Sequence, residues 1–120
     1  MGTQGASEGA LLDETVVKRL SELRRQVQRP GEDLLGELIG LFERDSASRL
    51  AVLRGAPSAT DRRQAAHALK GSAANLGAAR VAARAFAIEK NPGEPGDVVG
   101  LEASVREAIL ELRRVFLTPG

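Results

Sequence analysis

Apolar residues in this chain return every three or four positions through several long segments, and clusters of Pro, Gly or Ser separate those segments. A period near 3.6 places the apolar side chains on one face of a helix, whereas a strand would need strict alternation. Such a chain buries its apolar surface by packing helix on helix. The expected fold class is all-α, a helical bundle. With 120 residues there is material for one core but not two.

The first helix is expected to open at the N-cap candidate Asp13, with Val16, Val17, Leu20, Leu23 and Val27 on one face, and to stop before Arg29-Pro30-Gly31. A second runs from about Glu32 to Arg54 with Leu34, Leu35, Leu38, Phe42, Leu50 and Leu53 inward. Its Glu37, Glu43, Arg44 and Arg49 face water, and Gly55-Ala56-Pro57-Ser58 ends it. The third begins at Thr60 or Asp61 and ends at Gly77, a residue suited to the left-handed C-terminal position. The fourth spans about Ala78 to Glu89. After the turn Asn91-Pro92-Gly93-Glu94-Pro95-Gly96, a seam of Val98, Leu101, Val105, Ile109, Leu112 and Phe116 marks the last helix. The domain is assigned to residues 11–117, with the bundle proper from about 32, a disordered tail at 1–10 and a short tail at 118–120.

There is no cysteine, which removes disulfides, thiolate metal sites and a thiol nucleophile. Seventeen basic residues balance sixteen acidic ones, and with no Trp or Tyr and three Phe there is no stacking platform, so no nucleic-acid partner is expected. No apolar run approaches roughly 18 residues, and the first ten carry no signal-peptide pattern. Met1-Gly2 lacks the Ser or Thr that myristoylation needs at the sixth position, where Ala6 stands. A cytoplasmic monomer without a membrane partner is the expectation.

The third segment holds the only histidine: Ala65-Ala66-His67-Ala68-Leu69-Lys70-Gly71-Ser72-Ala73-Ala74-Asn75-Leu76-Gly77. His67 lies roughly 200° around the helix from Leu69, so an inward Leu69 puts His67 on the outside. Lys70, Gly71 and Ala74 share its face, with Arg63 and Gln64 one turn earlier. A nearby ammonium favours the neutral, nucleophilic imidazole and attracts phosphoryl oxygens. Gly71 costs about 1 kcal/mol relative to Ala inside a helix. Clearance beside His67 for another protein's active site would explain its presence. A lone helical histidine is ordinarily a plain surface residue, but the Lys-Gly pair on its face shifts the reading to a site. Ser72 could bond a helix carbonyl or a neighbouring helix, while Arg80 and Arg84 read as a solvated basic pair.

The segment His67 to Ala78 resembles the signature of the histidine-containing phosphotransfer (HPt) domains of two-component phosphorelays. Glu37-Leu38-Ile39-Gly40-Leu41-Phe42-Glu43-Arg44-Asp45 and Arg49-Leu50-Ala51-Val52-Leu53-Arg54 are similar to that family's preceding helix. Arg62 departs from it, standing where many members have leucine, and the fourth helix is short and alanine-rich. The resemblance implies an antiparallel four-helix bundle with an accessory N-terminal helix, His67 as acceptor of the phosphoryl group, Lys70 as its stabiliser and access opened by Gly71. Arg63, Gln64, Gly71 and Ala74, on the histidine's side of the helix, are expected to border a docking face. The implied partners are a response-regulator receiver domain and/or a hybrid histidine kinase. No cofactor of the chain's own is expected, because the sequence holds no carboxylate cluster near the motif and the partner would supply Mg2+. Two rivals stand beside this phosphocarrier: a binding-only adaptor that docks a receiver without transfer, and the phosphoacceptor domain of a larger histidine kinase.

Overall fold

The computed structural model describes residues 10–27, 33–55, 58–93 and 96–117. Residues 1–9 of the N-terminal tail, the stop at Arg29-Pro30-Gly31, Ala56-Pro57, Glu94-Pro95 and the tail at 118–120 lie outside the described residues. Five helices and no strand are found among those described: α1 (Glu14–Val27), α2 (Leu34–Gly55), α3 (Ala59–Asn75), α4 (Ala79–Lys90) and α5 (Val98–Leu117). Helix α3 packs on both α2 and α4, and α5 closes the ring against the same two, so α2 to α5 form the four-helix bundle. Helix α1 is the accessory element, and its Val17 and Leu20 rest on the edge of the core.

Short polar side chains start four of the helices. Asp13 Oδ1 accepts from Thr15 N at 2.9 Å, Asp33 Oδ1 from Gly36 N at 3.0 Å, Ser58 Oγ from Asp61 N at 3.0 Å and Asp97 Oδ1 from Gly100 N at 2.8 Å. Each bond satisfies an amide that has no partner inside its own helix. Asp33 caps α2, whose expected start near Glu32 lies outside the described residues. Ser58, expected to end the second helix, is the cap of the third.

The core is mostly small and aliphatic. Ala65, Ala66, Leu69 and Ala73 line the inner face of α3, and Val81, Ala85 and Ile88 that of α4. Alanine on both faces lets two helix backbones approach closely. The expected α5 seam is present, with Leu101, Val105, Ile109, Leu112 and Phe116 buried. On α2 the stripe differs: Leu38 is 43% exposed, and Ile39 is fully buried in its place. Leu23 of α1 likewise points outward.

Two arginines have structural roles. Arg62 Nη1 donates to Leu53 O at 2.7 Å and its Nε to Pro92 O at 3.1 Å, tying the end of α2 to the α4–α5 turn. A leucine could make neither bond. Arg84, expected in solvent, instead donates to Gly100 O and Ser104 Oγ, each at 2.8 Å, and Arg80 pairs with Glu107 at 3.3 Å. The buried Ser104 hydroxyl in turn donates to Gly100 O.

Helix α3 ends in a Schellman motif, with Ala78 N bonded to Ala73 O at 2.8 Å and Gly77 N to Ala74 O at 3.1 Å. Gly77 has φ +77°, and a Cβ there would meet Val16 at 3.2 Å and the Asp13 carbonyl at 3.3 Å. Its own carbonyl accepts from Asp13 N at 2.7 Å, so one residue both terminates α3 and anchors the start of α1. Gly77→Ala is expected to destabilise the domain by roughly 1–3 kcal/mol, combining left-handed strain with contact against α1. Urea unfolding with an unchanged midpoint would contradict this.

Candidate functional site

Burial of Leu69 at the α3 core turns His67 out to solvent, and 67% of its side chain is exposed. Arg63, Gln64, Gly71 and Ala74 are exposed as well, on the same stretch of α3. The structure thus brings together the residues singled out from the sequence. At Gly71 no atom of the described residues lies within 4 Å of where a Cβ would be, so the glycine does not mark a crossing with any of the described helices. Open space borders the ring on that side.

Glu89, on α4, was not singled out by sequence reasoning. Buried Ile88 fixes this turn of α4 against the bundle, and the next residue reaches along the core edge to α3. Glu89 Oε2 lies 2.7 Å from His67 Nδ1, and Oε1 lies 2.8 Å from Lys70 Nζ. One carboxylate therefore bridges imidazole and ammonium. Lys70, expected beside the ring, has its charge paired with Glu89. A cue was present: Glu89 is the single carboxylate of α4, among Arg80, Arg84 and Lys90.

With Nδ1–H donating to the carboxylate, the neutral ring takes the tautomer whose lone pair is on Nε2. The Lys70 ammonium first, and the His67 hydrogen bond second, hold the Glu89 carboxyl below the usual glutamate range. The carboxylate is thereby kept ionised and accepting.

Around this triad, Ser72 Oγ donates to Asp45 Oδ2 of α2 at 3.3 Å, which decides between the helix carbonyl and the neighbouring helix that the sequence left open for it. Asp45 also pairs with Arg49 at 3.3 Å. Among the described residues no three His, Asp or Glu side chains converge as a metal site, and no helix is long and apolar enough to cross a membrane.

A family model described as the Hpt domain matches residues 37–115, more than half of the chain, from α2 through most of α5. No curated protein and no solved structure gives a match.

Because the folded-state pKa of Glu89 is depressed, the bridge is complete above the usual carboxylate range. It is lost as pH falls through that lowered value. Lys70→Ala is expected to move the Glu89 titration up toward the ordinary glutamate range, as followed by carbon-detected NMR of its carboxyl group. An unmoved midpoint would mean that the ammonium does not hold the carboxylate in solution.

Proposed function

We propose, from the premise that the chain belongs to the Hpt domain family, that His67 carries the phosphoryl group and exchanges it with the aspartate of a response-regulator receiver domain. The observation that carries this reading is the Glu89–His67 contact, which engages Nδ1 of an exposed ring and leaves Nε2 without a partner among the described residues.

The chemistry follows from that tautomer. The Nε2 lone pair attacks the phosphorus of a phosphoaspartate or of a kinase-bound donor, and the phosphorus–oxygen bond to the leaving group breaks. The ring then carries positive charge, with its Nδ1 proton facing the Glu89 carboxylate. In the forward relay step an aspartate oxygen attacks the phosphorus and the Nε2–P bond breaks. Because Nδ1 keeps its proton, the ring departs as neutral imidazole rather than as an imidazolate anion.

Lys70 supplies positive charge to the phosphoryl oxygens, exchanging Glu89 for the incoming anion. Mg2+ and most catalytic groups come from the partner, a receiver or a hybrid histidine kinase, so the chain acts as a phosphocarrier rather than an independent enzyme. Arg63, Gln64, Gly71 and Ala74 frame the face that the partner approaches. Gly71 matters there by what it lacks.

His67→Gln is expected to keep the fold, since the exposed ring contributes little packing, and to abolish acid-labile, alkali-stable phosphate uptake. Retained labelling would remove His67 as the acceptor, and absence of labelling in the wild type with every competent donor would favour a binding-only adaptor. At the docking face, Gly71→Leu is expected to hold or raise thermal stability, by up to about 1 kcal/mol from helix propensity, while slowing transfer to the receiver. Normal transfer by a stable Gly71→Leu variant would show that clearance at this position is not needed.

A further inference from the structure

Phe86 stands outside the core of α4, 44% exposed and three residues before Glu89 on the same side of the helix. An exposed aromatic ring is by itself ordinary. What distinguishes this one is its company: Lys70 Nζ and Lys90 Nζ each lie 4.7 Å from the ring centroid. Lys70 is therefore held on two sides, by Glu89 Oε1 and by the ring. Its side chain is only 31% exposed, although it projects from the outer part of α3.

A lysine side chain has four rotatable bonds, and fixing it costs rotamer entropy each time its charge must be placed. The negative face of an aromatic ring attracts an ammonium without neutralising it. Taking the phosphocarrier reading as its basis, we propose that Phe86 is a positioning residue for phosphoryl transfer, holding the Lys70 ammonium beside the His67–Glu89 pair. When the phosphoryl group arrives at Nε2, Lys70 can leave the carboxylate for the phosphoryl oxygens from a place already set by the ring. The Lys90 ammonium shares that ring and so stays within a Debye length of Lys70 at moderate salt. Two cations gathered on one ring repel each other, and a dianionic phosphoryl group beside them relieves that repulsion.

The test uses phosphoramidate, a small donor with no docking surface, and follows uptake by 31P NMR. In this reaction the Nε2–P bond forms, the donor's P–N bond breaks and ammonia leaves. Phe86→Leu keeps bulk and helix propensity but removes the ring, and is expected to lower the rate at saturating donor about two- to fivefold. Phe86→Tyr should restore it. In a Lys70→Ala background, Phe86→Leu should have no further effect. Independently of transfer, the Lys70 ε-methylene protons should show an upfield ring-current shift in the wild type and in Phe86→Tyr that disappears in Phe86→Leu. Equal slowing with and without Lys70, or Lys70 resonances unmoved by Phe86→Leu, would overturn the positioning role. If the wild type takes up no phosphate on His67, the phosphocarrier reading fails, and the role proposed for Phe86 in transfer falls with it even where the Lys70 shift shows the contact to be real.

Discussion

Close packing of α3 against α4 is the constraint from which the site follows. The inner face of α3 is rich in alanine, with Ala65, Ala66 and Ala73, and packs on α4, whose inner face carries Ala85. Little side-chain bulk separates the two backbones. A glutamate at the edge of α4 can therefore span to α3 and reach two residues three positions apart, His67 and Lys70. Wider spacing, as larger core residues would impose, would leave the imidazole free to rotate and the ammonium free to sample solvent. The same alanines that make the core aromatic-poor are thus what let a carboxylate orient the ring.

This arrangement divides the labour between core and surface. Leu69, Val81 and Ile88 set the rotation of the two helices about their axes, and that rotation decides which side chains meet at the rim. Supporting contacts lie away from the rim. Arg62 fixes the end of α2 against the α4–α5 turn, Arg84 fixes α4 against α5, and Gly77 joins the end of α3 to the start of α1. None of these bonds involves the imidazole. Among the described residues the exposed ring has one hydrogen-bond partner and open space over Gly71, a combination suited to a group that other proteins reach.

Much of the fold was legible because helical periodicity and capping chemistry act locally. The α5 seam and the Asp13 cap follow from spacing alone, and the outward direction of His67 follows from its angle to Leu69. Where two adjacent residues are both apolar, local information stops deciding: Leu38 and Ile39 compete for one inward position, and only the crossing with neighbouring helices selects Ile39. Long cationic side chains were harder for a related reason. Arg62 and Arg84 look like solvent residues in a sequence, yet each has the reach to bond carbonyls on other elements. Glu89 and Phe86 were missed because their importance lies in what stands opposite them. Even so, a single acid in an otherwise basic helix was a visible departure.

The central claim is that Glu89 selects Nε2 of His67 as the phosphoryl-bearing nitrogen. Its most direct test is 31P–15N correlation NMR on the domain labelled with 15N-histidine and phosphorylated by its donor. The single histidine makes the assignment unambiguous. A one-bond coupling from phosphorus to Nε2, and none to Nδ1, is the expected result. A coupling to Nδ1, or phosphate on a residue other than His67, would contradict it.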